Sequence, residues 1–234
     1  MNREISIDSA GGGAFEAYLA LPPSTPAPGL LLLPAIFGIE PVMRAMADRY
    51  AAGGYVVLVP NQFWRDEQPG VLARTAEARA AAMARAKRVD PAAVLADVAS
   101  AVDALRALPE CSGEIAVLGI CFGGRYAYLA AARLPVQAAA TYHGTLIGTC
   151  LPELPRAPIA LHYGDQDPVA PIGEVRAIED AVRDVPEADV YVYPGASHNF
   201  SIPGEPHYDP EVTRLAEERT FALFDALKAR PLSS

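Results

Sequence analysis

The sequence predicts an α/β fold with a mostly parallel central sheet, helices on both of its faces and an antiparallel start. Short continuous apolar runs recur along the chain, and segments with apolar residues three, four or seven positions apart lie between them. The chain has 234 residues, 51% of them hydrophobic, which is enough to bury one substantial core. We therefore expect a single domain over residues 1–234.

The chain begins with two segments that alternate apolar with polar or small residues. They cover residues 4–8 and 15–21, and glycines at positions 11–13 separate them. Alternation with a period of two is typical of half-buried strands, and glycines between such strands suit a hairpin. These segments predict the antiparallel start of the sheet.

The apolar runs that follow are continuous, as expected for parallel strands buried on both faces. They cover residues 30–33, 55–59, 115–118, 158–163 and 190–193, and residues 136–142 are a further predicted strand. Helical patterns lie between and after these runs. They are the alanine-rich stretch 73–86, the series Val94, Val98, Val102 and Leu105, residues 126–133, and the series Val212, Ala216, Leu223 and Leu227.

Composition and charge exclude several classes of protein. The formal net charge is −9 and the pI is near 4.9, with scattered Lys and Arg, so we expect no nucleic-acid partner. The longest apolar run, residues 30–39, is interrupted by Pro34 and Gly38, and it falls far short of the roughly 20 residues that a spanning helix needs. We expect no membrane association, a cytoplasmic location, and a monomer or small homo-oligomer.

The three cysteines, Cys111, Cys121 and Cys150, are an odd number at wide spacings. This pattern suits neither a disulfide framework nor a zinc site of paired cysteines. Each cysteine therefore needs its own interpretation. We also expect no metal and no organic cofactor.

Cys121 lies at the centre of a G-x-C-x-G motif, residues 119–123, between a predicted strand and a predicted helix. This strand-turn-helix setting is typical of a nucleophile elbow, with cysteine where serine is usual. The turn is so tight that side chains at positions 119 and 123 would collide, and the N-terminus of the helix favours thiolate over thiol. The alternative is that Cys121 is a small core residue and the glycines only form a turn.

An aspartate and a histidine follow the motif in the order found in the α/β-hydrolase fold. Asp167 and His198 lie in loops after the strands 158–163 and 190–193, at the sheet edge where open α/β sheets bind ligands. His198 would act as base and then acid, and Asp167 would fix its tautomer. Asp165 is the alternative acid, although it stands nearer the strand and could instead cap the loop or stay solvated.

The other three histidines are weaker candidates for catalysis. His162 lies within a predicted strand, which favours a structural role, and His207 lies in a polar loop. His143 ends the strand 136–142, where it could border the pocket or be a hydrogen-bonded structural residue.

Taken together, these motifs make the chain similar to the dienelactone hydrolase family over nearly its whole length. The matching segments are residues 36–38, residues 43–44, the cysteine elbow and residues 197–200. The resemblance implies a thiol-based hydrolase with an α/β-hydrolase fold. It also implies that the backbone N–H groups of Ile36 and Phe122 form the oxyanion hole.

The chain departs from the family at the residue that is thought to help deprotonate the cysteine. The family usually has glutamate where this chain has Ala35. Cys121 would then be activated by His198 and the helix N-terminus alone. We expect its reactivity to depend less on bound substrate, and its thiol to oxidise more readily.

The family holds a substrate carboxylate with two arginines, and this chain matches only one of them. Arg79 matches the first, whereas Ile202 stands in the place of the second. Leu72, Ala76, Arg79 and Met83 share the spacing of one helix face, which predicts an inward-pointing arginine; the alternative is that Arg79 extends to solvent.

An incomplete pair of arginines favours a neutral or less acidic ester or lactone over dienelactone itself. Phe37 and Trp64 are further candidates for substrate contact. For the loop around Trp64, simple packing at the surface is an equal alternative.

The sequence thus predicts hydrolysis of a small-molecule ester or lactone through a Cys121, His198 and Asp167 triad and an acyl-thioester intermediate. Two alternatives stay open. One is a ligand-binding protein that lost turnover together with the glutamate at position 35. The other is a redox sensor at Cys121, for which Cys150 could approach in space.

Overall fold

The computed structural model describes residues 2–229, and it confirms the α/β class with an antiparallel start. Eight strands form a mixed sheet in the order β1-β2-β4-β3-β5-β6-β7-β8, with helices on both sides. By compactness the chain divides into two units, residues 2–116 and 117–229 of the described chain. The single domain over residues 1–234 stays a prediction.

The first unit contains the antiparallel start and the first parallel pair. Its strands are β1 (Arg3–Asp8), β2 (Ala14–Ala20), β3 (Ala27–Leu33) and β4 (Val56–Pro60), followed by the beginning of β5 (Cys111–Ile120). β1 and β4 both pair antiparallel with β2, whereas β3 and β4 are parallel. Every residue of β3 and β4 is buried, in agreement with their continuous apolar sequences.

Three helices complete the first unit: α1 (Pro41–Ala52), α2 (Ala76–Arg88) and α3 (Pro91–Ala107). Proline at the first position sets the backbone of α1 and α3 for helix, and Asp90 caps α3 by accepting a hydrogen bond from the N–H of Ala92. The apolar face predicted for α3 is confirmed, because all of its residues are buried: Val94, Val98, Val102 and Leu105.

The inward face predicted for α2 was wrong. Met83 is 46% exposed and Arg79 is exposed, whereas Ala82 and Arg85 are buried. In this helix the buried residues are Ala82 and Arg85, and the other alanines are partly or fully exposed. The buried face thus carries a small residue and a long cation rather than the larger apolar residues of the helix.

The second unit contains the end of β5 and the remaining parallel strands. Its elements are α4 (Phe122–Arg133), β6 (Ala138–Tyr142), β7 (Ile159–Gly164), α5 (Ile172–Val182), β8 (Ala188–Tyr193) and α6 (Pro210–Phe224), with short 3₁₀ helices at Ile147–Cys150 and Asp225–Ala229. β6 pairs parallel with β7, and β7 with β8. The carboxyl ends of these strands therefore meet at one edge, where the next residues of the chain form loops.

The C-terminal helical pattern is confirmed only in part. Ala216 and Leu227 are buried, but Val212 and Leu223 are only partly buried, and the other core-facing residues are Thr213, Thr220 and Phe224. The threonine hydroxyls explain the difference, because both are satisfied inside the protein: Thr213 donates to the Phe200 carbonyl, and Thr220 pairs with Tyr142.

Among residues 2–229, no helix has the combination of length and apolar character that crossing a membrane requires.

Candidate active site

Cys121 occupies the strained turn between β5 and α4. Its backbone has φ 51° and ψ −111°, a conformation that a residue with a side chain rarely adopts. A Cβ atom at Gly119 would lie 2.3 Å from the carbonyl oxygen of Gly123, so the predicted steric reason for glycine at position 119 is confirmed. The turn holds the thiol at the N-terminus of the 12-residue helix α4.

The loop after β6 fixes this turn from one side. The N–H of Cys121 donates to the carbonyl of Tyr142 at 3.0 Å, and the carbonyl of Cys121 accepts from the N–H of Thr145 at 3.0 Å. Gly124 packs so closely that an added Cβ would lie 2.4 Å from the Cα of Gly144. The position of Cys121 is therefore set by the neighbouring strand as well as by its own helix.

Cys121, His198 and Asp167 form a buried chain of hydrogen bonds. The Cys121 Sγ and His198 Nε2 atoms are 3.2 Å apart, and His198 Nδ1 and Asp167 Oδ2 are 2.7 Å apart. The second oxygen of Asp167, Oδ1, accepts from the N–H groups of Val169 and Ala170 at 2.7 and 3.0 Å. The carboxylate is thus held as an acceptor, and His198 is held between acid and thiol.

The electrostatics of His198 favour its charged form. Burial by itself would lower the pKa of His198, but the hydrogen bonds to Asp167 and Cys121 outweigh it and raise the pKa from 6.5 to about 10. An imidazolium at neutral pH can pair with a thiolate on Cys121. Such an ion pair is the activated form of a cysteine nucleophile.

The loops that follow β7 and β8 are joined directly. The N–H of Gln166 donates to the carbonyl of Ala196 at 2.9 Å, and the Ser197 hydroxyl donates to the carbonyl of Gln166 at 3.0 Å. A Cβ atom at Gly164, the last residue of β7, would lie only 2.2 Å from the Ala196 carbonyl oxygen. Glycine at this position lets the two loops approach, and Asp167 and His198 lie just beyond the contact.

Asp165, the alternative acid, has a different set of partners. Its Oδ1 accepts from the N–H of Gly195 at 2.8 Å and from the side chain of Gln166 at 3.2 Å. It therefore caps the loop that precedes His198, and Asp167 is the carboxylate in contact with the imidazole.

Two other buried histidines, His162 and His143, lie outside the hydrogen-bond chain of Cys121, His198 and Asp167. His162 has both ring nitrogens near hydroxyls, Tyr193 at 2.8 Å and Thr220 at 3.2 Å, and burial lowers its pKa to about 3. It is a neutral structural residue. His143 is also fully buried, with Nε2 2.9 Å from Ser201 Oγ, but its ring centroid lies 4.7 Å from that of His198. His143 thus borders the candidate site.

The predicted site residues of the first unit lie after β3 and on α2. Ile36 and Phe37 are buried in the loop that follows β3, and the Arg79 guanidinium lies 5.5 Å from the centroid of the Phe37 ring. Arg79 is exposed. The proposed contacts of Phe37 and Arg79 with substrate stay predictions.

Arg85 is the important residue of this unit that the sequence analysis missed. Its guanidinium is fully buried and donates to the Ile36 carbonyl at 2.7 and 3.1 Å, and to the carbonyls of Gln68 and Gly70 at 2.8 and 2.6 Å. Burial lowers its pKa to about 10, so it remains charged at neutral pH. Through its hydrogen bonds to the Ile36 carbonyl, Arg85 fixes the loop that carries Ile36. The spacing of Ala78, Ala82 and Arg85 on one helix face is the signal that could have identified it.

Trp64 is engaged within the first unit. Its ring lies 6.0 Å from that of Phe15, the Arg65 guanidinium lies 4.0 Å from its centroid, and its indole N–H donates to Asp97 at 2.8 Å. These contacts favour the packing alternative for this loop, and contact with substrate stays a prediction.

In the second unit, Phe122 is the first residue of α4 and Ile202 follows the His198 loop. Ile202 is fully buried, so its contact with substrate stays a prediction. The oxyanion hole of Ile36 and Phe122 also stays a prediction. All three cysteines are free thiols.

The mixed sheet, its covering helices and the strained strand-to-helix turn at Cys121 define an α/β-hydrolase. The family is defined by sequence: the profile of the dienelactone hydrolase family matches residues 15–228, and the chain belongs to this family. It is a hydrolase of the ester and lactone class.

Relatives and solved structures agree with this assignment. The chain is 31% identical to a carboxymethylenebutenolidase of a Pseudomonas species, over 96% of this chain and 95% of that protein. It is 29% identical to carboxymethylenebutenolidase 1 of Cupriavidus pinatubonensis, over 96% and 97% of the two chains. A dienelactone hydrolase-like promiscuous phosphotriesterase from metagenomic libraries matches with a TM-score of 0.77 at 25% identity, covering 97% of this chain and 98% of that one.

Proposed function

We propose that the protein hydrolyses a neutral small-molecule ester or lactone, with Cys121 as nucleophile, His198 as acid and base, and Asp167 as the residue that orients His198. The observation that carries the proposal is the buried hydrogen-bond chain from Cys121 Sγ through His198 to Asp167, with separations of 3.2 and 2.7 Å.

In the first half of the reaction, the Cys121 thiolate attacks the carbonyl carbon of the substrate. Negative charge develops on the carbonyl oxygen, and the backbone N–H groups of Ile36 and Phe122 stabilise it. The carbon–oxygen bond to the leaving alcohol then breaks, and the His198 imidazolium gives its proton to the departing oxygen. The products are the alcohol and an acyl-thioester on Cys121; a lactone yields one chain that carries both groups.

In the second half, neutral His198 takes a proton from a water molecule while that water attacks the thioester carbonyl. The carbon–sulfur bond breaks, the acid leaves, and the proton on His198 restores the imidazolium beside the thiolate. Asp167 supports both halves, because its bond to Nδ1 keeps Nε2 directed at the sulfur and stabilises the charged ring.

The proposed substrate class rests on the uncharged residues that this chain has at two positions where the family has charged ones. The relatives named carboxymethylenebutenolidase indicate a lactone-like substrate. In this chain Ala35 is buried and apolar, and Ile202 is a fully buried aliphatic side chain. Ile202 offers no positive charge to an anionic substrate, which favours a neutral ester or lactone.

The test compares two aspartates in the same loop. We expect Asp167→Asn to lower kcat/KM by about 10²- to 10⁴-fold, because an amide at this position favours the wrong imidazole tautomer. Asp165→Asn is the matched control, and we expect it to stay within about threefold of the unmodified protein, since Asp165 Oδ1 accepts from the Gly195 N–H and from Gln166, and an amide oxygen can do the same. The measurement is steady-state hydrolysis of a panel of neutral aryl and alkyl esters and lactones.

Cys121→Ala, measured on the same panel, should have no activity above background. Equal activity of the Asp167→Asn and Asp165→Asn proteins would contradict the assigned acid. An unmodified protein that binds these esters but turns over none would instead support the ligand-binding alternative.

A further inference from the structure

His143 is a third potential metal ligand beside the thiol and imidazole that the proposed mechanism uses. It lies directly after β6, is fully buried, and has a positive φ of 41°. One ligand atom from each of Cys121, His143 and His198 can be chosen so that all three lie within 4.8 Å of one another. The proposed hydrolysis gives His143 no role.

A thiolate and two imidazoles form a ligand set that suits zinc and its close relatives among the divalent ions. Zinc bonds of about 2.3 Å to sulfur and about 2.0 Å to nitrogen place tetrahedral ligands about 3.3 to 3.6 Å apart. Cys121 Sγ and His198 Nε2 are already 3.2 Å apart. The third ligand needs a shift of at most about 1.5 Å to complete the set.

The hydrogen-bond partners of the two imidazole ligands are also typical of a metal site. Asp167 accepts from Nδ1 of His198, which leaves Nε2 as the coordinating atom and increases its basicity. The hydroxyl of Ser201, 2.9 Å from Nε2 of His143, fixes the orientation of that ring. Because the site is buried and these side chains are held in place, little order has to be gained when an ion binds.

We propose that Cys121, His143 and His198 bind one Zn²⁺ ion, and that this binding reversibly blocks the nucleophile. The ion takes the sulfur lone pair of the thiolate and the Nε2 lone pair of His198, and the proton of the imidazolium passes to solvent. No electrons are transferred, and a fourth position stays open to water. Metal binding stands on the geometry alone, whereas inhibition of hydrolysis rests on the proposed function.

The first experiment measures binding without reference to activity. The full-length, metal-free protein is titrated with Co²⁺, the spectroscopic substitute for Zn²⁺. We expect a thiolate-to-cobalt charge-transfer band, saturation at one ion per chain, and displacement of the band by Zn²⁺. Cys121→Ser should lose the charge-transfer band. Absence of the band in the unmodified protein at saturating Co²⁺ would overturn the proposal.

The second experiment tests the third ligand. In His143→Gln and His143→Phe, half-displacement of Co²⁺, and half-inhibition of the turnover that each variant retains, should need at least about tenfold more Zn²⁺. His207→Gln, the same substitution at an exposed histidine, is the matched control and should leave both values unchanged. Unchanged values in both His143 variants would overturn the assignment of His143.

The two proposals can fail separately. A protein that shows the charge-transfer band but hydrolyses no ester would support the metal site and contradict the proposed function. A protein that hydrolyses esters, shows no band and is not inhibited by Zn²⁺ would support the proposed function and contradict the metal site.

Discussion

At Cys121, backbone strain and electrostatics act on the same atom. The positive φ presents the sulfur at the start of α4, and His198 lies 3.2 Å from it. The raised pKa of His198 means that its proton is available for a leaving group over the whole neutral range. The proposed acylation of Cys121 therefore needs no acid from outside the site.

This account predicts a pH dependence that changes with the leaving group. The pKa of His198 is raised from 6.5 to about 10, so the imidazolium is lost as pH rises through about 10. An alkoxide must be protonated as it leaves, whereas p-nitrophenolate leaves without a proton. For a methyl ester, kcat/KM should fall about tenfold per pH unit above that pKa. For the p-nitrophenyl ester of the same acid, kcat/KM should not fall above that pKa.

Rates of both esters between pH 6 and 11 provide the measurement, with stability checked at each pH. If kcat/KM for the methyl ester already declined near pH 7, His198 would not hold its proton as described.

The chemistry-bearing residues were predictable from sequence to different degrees. Cys121, Asp167 and His198 each follow an apolar run and come in a recognisable order, and the structure brings their side chains within hydrogen-bonding distance; their catalytic roles stay predictions. Arg85 and His143 belong to no catalytic motif, although helix spacing could have indicated Arg85 and the end of a predicted strand pointed to His143. Their roles come from contacts with residues far away in the chain, Ile36 and Ser201, and such contacts are visible only after folding.

The loops after β7 and β8 behave as one unit because their backbones are in contact at Gly164 and Ala196. Gly164→Ala would push a methyl group against a carbonyl oxygen that lies only 2.2 Å away. We expect a loss of at least about 2 kcal/mol in the free energy of unfolding, since backbone on both sides must move. Catalysis should fall further than stability explains, because Asp167 and His198 would separate.

Gly173→Ala is the control for this prediction. Nothing lies within 4 Å of a Cβ at Gly173, which is in α5, so this change should be neutral or stabilise by up to about 1 kcal/mol. Chemical denaturation and kcat for both variants are the measurements. Similar unfolding free energies for the two proteins would contradict the close contact.

Elements with a single strong pattern, such as the strands β3 and β4 or the helix α3, were predictable from sequence. In α2 and α6 the buried faces include arginine and threonine, which hydropathy alone assigns to the surface. These polar residues are buried because specific partners in the fold satisfy them: the Ile36 carbonyl for Arg85, the Phe200 carbonyl for Thr213, and Tyr142 for Thr220.

For the whole molecule, His162 connects folding stability to pH. Burial and, to a smaller extent, the charge of Arg219 lower its pKa from 6.5 to about 3. The unfolded chain takes up this proton near pH 6.5, whereas the folded protein resists it until about pH 3. Stability should therefore fall as pH drops through this range, by up to about 1.4 kcal/mol per pH unit from this residue.

His162→Gln should be less stable than the unmodified protein at pH 7.5, because two hydroxyl contacts change, but it should lose stability more slowly between pH 6.5 and 4. Urea unfolding at each pH measures the slope. His207→Gln removes an exposed histidine and should keep the original slope. An unchanged slope in the His162→Gln protein would show that other groups control the acid sensitivity.

The central claim is that Cys121 carries the acyl group during hydrolysis. Rapid mixing with p-nitrophenyl acetate, followed by intact-mass and peptide analysis of quenched samples, tests it most directly. The account predicts a burst of about one p-nitrophenolate per active site, steady turnover afterwards, and an acetyl adduct on the peptide that contains Cys121. Turnover that persists in Cys121→Ala, or an adduct confined to another residue, would contradict it.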